Sequence, residues 1–96
     1  MIYSHAELHE MLARVGAGIH IVDGSELFCR VRGPVVEPGE FDRVMRETQD
    51  LVHIEGDTFL RHAHNDIEVD GKLWSIAGVR LKSSGIVVLN LERELS

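Results

Sequence analysis

Asp70–Gly71, set between the alternating pair Ile67 and Val69 and the stretch that begins at Leu73, limits most what this chain can fold into. A type I′ turn needs positive φ at both central residues, and Asp–Gly accepts it, so the position predicts a two-residue β-hairpin. Other turn signals stand at Asp23–Gly24, Gly33–Pro34, Gly56–Asp57 and Ser84–Gly85. Between them the chain reads as strands over residues 19–22, 27–31, 51–55, 58–62, 67–69, 73–81 and 86–91. Short strands divided by turn residues predict a mainly β domain, an antiparallel barrel or sandwich. Ile86 to Leu91 is apolar almost throughout, which predicts a strand near the centre of the sheet.

The N-terminal segment has a different period. Leu8, Met11, Leu12 and Val15 recur at helical spacing and form one apolar stripe. Ser4 stands three residues before Glu7, the spacing of a capping box. Gly16 and Gly18 then end the pattern. The expected organisation is one domain over residues 1–96, with a helix within 1–17 and a β domain over 18–96. By element count this is α+β, but the body is β.

Residues 34–50 give the least regular signal. Pro34, Pro38 and Gly39 argue against a continuous strand, and Glu40 to Glu47 reads as a short helix or a long polar loop. Loops on a rigid β scaffold commonly carry recognition, so Glu37, Glu40, Phe41, Arg43 and Arg46 are the expected partner-contact residues.

Composition removes several classes of function. Ten Lys and Arg against sixteen Asp and Glu give a net charge of −6, which argues against a direct nucleic-acid partner. No apolar run approaches the roughly 20 residues of a membrane span. The opening MIYSHAELHE has no basic region followed by an apolar stretch, so no secretion signal is expected. The one cysteine, Cys29, cannot form an internal disulfide, which fits a reducing cytosol, and its apolar strand predicts a buried structural thiol.

No catalytic group can be nominated. His5 and His9 lie four apart on one helix face, but Ala6 stands where an HExxH motif needs Glu, so they read as solvated. His62, His64 and Glu68 resemble the first half of the cupin metal motif, and there they would be ligands. No Pro or His follows His64 to supply the second half, so no cofactor or metal is expected, and the small cupin-like barrel stands as the alternative reading. Trp74, between Leu73 and Ile76, reads either as an interface anchor or as a cap on the core.

Residues 66–93, DIEVDGKLWSIAGVRLKSSGIVVLNLER, run as a short strand, a tight turn, a strand with an aromatic, a polar turn with Gly, and an apolar strand ending in Arg. This order resembles the closing segment of phage head–tail joining proteins of the lambda type. Arg30–Val31–Arg32–Gly33, followed by an acidic segment, resembles their middle. The resemblance implies a structural virion protein, without catalytic chemistry, that joins a ring at the neck of the particle. Its partners would be the head-completion or portal proteins on one side and the tail terminator on the other. It would work in the virion after assembly in the host cytoplasm.

Overall fold

A computed structural model of the chain describes residues 3–38, 45–58 and 65–95. Helix α1 spans His5–Arg14, followed by strands β1 (Gly18–Val22), β2 (Ser25–Pro38), β3 (Met45–Ile54), β4 (Asp66–Val69), β5 (Lys72–Leu81) and β6 (Ile86–Leu95). The strands close into an antiparallel barrel in the order β1-β2-β3-β6-β5-β4. The fold is therefore mainly β with one N-terminal helix, and of the two expected architectures it is the barrel.

Both Asp–Gly dipeptides form tight hairpin turns. Asp23 and Gly24 have φ of 50° and 81°, and Asp70 and Gly71 have 49° and 85°. Positive φ at both central residues twists the turn to match its strands. Aspartate is one of the few residues besides glycine that enter this region.

Alternation sorts side chains between an inner and an outer face. Leu27, Cys29, Leu51, Ile67, Val69, Trp74, Ile76, Val87, Leu89 and Leu91 fill the interior together with Val22. Helix α1 covers part of the outside. Leu8 and Leu12 pack on Ile54, with Ala17, Phe28, Val52 and Ile86 around them. Strand β6 therefore loses its alternation: Val87, Val88 and Leu89 are all buried. Val87 and Leu89 face the core, and β3 and β5 flank the strand. An unbroken apolar run is what such a strand requires.

The capping box forms: Ser4 Oγ accepts from Glu7 N at 3.2 Å, and Glu7 Oε1 accepts from Ser4 N at 3.2 Å. His5 and His9, read from sequence as solvated, are exposed but also dock the helix. His5 Nε2 lies 2.7 Å from Asp57 Oδ1, and the His9 ring stacks on Phe28 at 3.9 Å between centroids.

Two expectations need correction. Residues 34–38 and 45–50 are not an irregular loop; they belong to β2 and β3 and pair in register, from Val35↔Thr48 to Pro38↔Met45. The register shifts between Arg32 and Val35, so Gly33 and Pro34 sit in a bulge where a missing N–H interrupts no ladder. Beyond Cys29, β2 no longer pairs with β1 and is an edge there, where proline is tolerated. Second, the strand expected over 58–62 does not begin at Thr58, which lies in a bend, and residues 59–62 fall outside the described residues.

His53 makes the interior sensitive to pH. It is buried, its Nδ1 donates to the Ile54 carbonyl at 2.9 Å, and its Nε2 has no partner. Burial holds its pKa below the ordinary histidine value, outweighing the backbone bond. The unfolded chain then binds the extra proton more readily than the fold. Stability contributed by the neutral ring is complete above the unfolded pKa of about 6.5 and is lost as pH falls below it. Thermal melts should show a lower Tm at pH 5.5 than at 7.5, and His53→Leu should remove much of that difference. An equal acid shift in His53→Leu would exclude His53 as its source.

Candidate functional site

Two features of the barrel are candidates for contact. The first is the wall extension formed by the end of β2, the start of β3 and the end of β6. Its rows pair Glu37 with Arg46 and Glu94, and Pro38 with Met45 and Leu95. The molecule measures 45 Å along its longest axis against 24 and 23 Å across.

The two faces of this extension differ. On one, Arg46 bridges two strands: its Nη2 lies 2.9 Å from Glu37 Oε1 and its Nη1 3.3 Å from Glu92 Oε2. These groups are partly exposed, so the pairs contribute little to stability. The other face carries Val36, Pro38, Met45 and Leu95. Val36 is 52 % exposed and Met45 45 %. Toward the barrel this face continues into Glu47, whose Oε2 is 3.6 Å from Arg93 Nη1, and the Arg93 guanidinium stands 5.8 Å from the centre of the Trp74 ring.

Of the expected partner-contact residues, Glu37 and Arg46 thus meet directly on this extension. Glu40, Phe41 and Arg43 lie outside the described residues. Among the expected metal ligands, His62 and His64 also lie outside them. Glu68 is exposed on β4 between the buried Ile67 and Val69, so it points out of the barrel. A metal bound through Glu68 would sit on the outer surface. Among the described residues no three His, Cys, Asp or Glu side chains are grouped to hold a metal ion.

The second feature is the seam that closes the barrel. Strands β1 and β4 share one ladder pair, Val22↔Val69. The two turn aspartates complete it. Asp23 Oδ1 accepts from Glu68 N at 2.9 Å while Asp23 N donates to Glu68 O at 2.8 Å. Asp70 Oδ1 accepts from Ile21 N at 3.0 Å while Asp70 N donates to Ile21 O at 2.8 Å. Each turn therefore clamps the strand across the seam.

Asp70 also holds His20, with Nδ1 2.7 Å from Oδ2. That bond, followed by the one from Ile21 N, holds the Asp70 carboxyl below its ordinary pKa despite partial desolvation. Asp70 is therefore ionised at neutral pH, and His20 Nδ1 carries the donated proton.

Beside this pair a cavity of about 310 Å³ opens between the β2 bulge and the β4–β5 hairpin. Val31, Pro34, Val69 and Trp74 supply apolar wall, and His20, Gln49, Asp70 and Lys72 supply polar groups. Trp74 is buried with its Nε1 unpartnered. Of the two sequence readings of Trp74, it is the core residue. Cys29 is likewise buried, and desolvation, aided by the Asp70 charge, pushes its thiol up to about 11, so it stays protonated and unreactive.

The cavity was not legible in the sequence. His20 and Asp70 stand 50 residues apart, and Asp70 carries a turn signal strong enough to hide a second role. Comparison with known proteins finds no matching family model, no matching curated protein and no matching solved structure.

Proposed function

We propose that the chain is a structural virion protein that joins the portal side of a phage head to the tail during assembly. The observation that carries this reading is the three-stranded wall extension, with an apolar face left to solvent and a charged ladder behind it. Exposed apolar area on a rigid sheet suits protein contact. Backbone pairing of β2 with β3 and of β3 with β6 holds the three strands in one register, so the face is preorganised and loses little on docking.

The resemblance to head–tail joining proteins supports the same reading. The segment 66–93 makes up β4, β5 and most of β6, and Arg30–Gly33 leads into the β2 bulge. All the resembling stretches therefore belong to the barrel wall that carries the extension. In a ring, each copy presents one face to a different face of its neighbour. An extension on one side of a barrel provides that asymmetry. Portal or head-completion proteins would then meet one rim of the ring and the tail terminator the other, first in the host cytoplasm and finally in the virion.

Substituting Val36→Thr together with Met45→Gln tests the reading. Both side chains are half exposed, so stability should change by no more than about 0.5 kcal/mol per site. In an assembly extract lacking the wild-type protein, the yield of joined particles should fall about tenfold or more, equivalent to roughly 1.4 kcal/mol. Joining at the wild-type level would remove this face from the contact.

A further inference from the structure

The geometry points to the barrel mouth as a binding site for a carboxylate group, with Lys72, Gln49 and the Trp74 indole N–H as its donors. The inference does not rest on the joining role.

Among the described residues Asp70 is the one carboxylate of the lining, and both its oxygens are engaged, Oδ1 by Ile21 N and Oδ2 by His20 Nδ1. Its charge is directed at those two donors. The other polar groups of the lining bring donors. Lys72 lines the cavity with no ion-pair partner among the described residues. Gln49, 7 % exposed, brings an amide. Trp74, 2 % exposed, brings an indole N–H that nothing accepts.

A donor buried without an acceptor costs about 1–3 kcal/mol, which an arriving acceptor recovers. Tryptophan and lysine side chains can only donate. The complement of one ammonium, one amide and one indole N–H is a compact anion with two acceptor oxygens, and charge-assisted bonds to it are the strong ones.

Size and build agree. About 310 Å³ lies at the small end of ligand pockets. It admits a small dicarboxylate or the side chain of one acidic residue, but no nucleotide. Gly33 lies so close to β3 that a Cβ there would stand 3.0 Å from Gln49 Cβ.

Trp74 is the only tryptophan, so the purified full chain carries its own reporter. Glutarate is titrated at constant ionic strength while the indole ¹H–¹⁵N resonance and the intrinsic fluorescence are followed. A capped glutamyl peptide and its glutaminyl twin are titrated in the same way. The expected result is a saturable downfield shift of the indole proton with glutarate or the glutamyl peptide, at a Kd of about 1 mM or tighter. Tighter binding of glutarate identifies a free small acid, and tighter binding of the peptide identifies an acidic residue of a partner protein.

Lys72→Met, at an exposed position, should weaken binding about tenfold without changing the melting curve. Gln49→Leu provides a second variant with the same expected loss. An indole resonance that does not move saturably with either acid overturns the inference. So does equal binding of the glutaminyl peptide, or binding unchanged in both variants. Each of these results concerns the isolated chain and leaves the joining role standing.

Discussion

Gly33→Ala should destabilise the barrel by on the order of 3 kcal/mol or more, lowering Tm by roughly 15 °C. Two separate costs add at this residue. Its φ of +121° is a conformation that side chains rarely adopt. In addition, the new Cβ would meet Thr48 O at 3.0 Å, Gln49 Cβ at 3.0 Å and Gln49 Cα at 3.2 Å. Two of these are backbone atoms of β3, which cannot swing aside as a flexible side chain could. The bulge of β2 would have to lift off β3, and the pairing from Val35 to Pro38 depends on that bulge.

Gly24→Ala is the matched control. Gly24 also has positive φ, +81°, but a Cβ there meets nothing within 4 Å. It should cost only the backbone term, about 1–2 kcal/mol. Thermal melts of the two variants at neutral pH separate the contributions. Equal shifts in Tm would show that the close approach of β2 to β3 is absent in solution. Gly33 also lines the barrel mouth, so the same substitution should impair carboxylate binding in whatever fraction of the protein still folds.

The helix and both tight hairpins were legible because their signals are local. Ser4 and Glu7 satisfy each other within one turn, and Asp–Gly specifies its own backbone. The interior was legible where alternation survives, as in β4, where exposed Asp66 and Glu68 alternate with buried Ile67 and Val69. The wall extension was not, for a physical reason. From Val35 to Pro38 no residue of β2 is buried, and neither is any residue of β3 from Met45 to Thr48. With both faces largely outside the core, no burial pattern imposes period two. Charged pairs such as Glu37–Arg46 and the two prolines then read as a loop.

Closure into a barrel was also beyond periodicity. A sandwich and a barrel share the same alternation. Here the choice rests on the single pair Val22↔Val69 and on two aspartates from turns far apart in the chain. The cavity follows from that closure, since it draws residues from β1, β2, β3 and the β4–β5 hairpin. Its polar groups give no local motif, which is why His62, His64 and Glu68 drew more attention in the sequence than His20 and Lys72.

On the proposed joining role, loss of the protein should have the largest effect of all. The proposal expects that, in a phage whose genome encodes the chain, a nonsense mutation early in its reading frame leaves DNA-filled heads and finished tails accumulating side by side. Purified wild-type protein added to that lysate should join them and restore plaque-forming particles. The same protein carrying Val36→Thr and Met45→Gln should do so poorly. Electron microscopy of the mutant lysate is the direct measurement. Unjoined full heads with free tails, rescued by the added protein, is the predicted result; joined infectious particles in the complete absence of the protein would contradict the account.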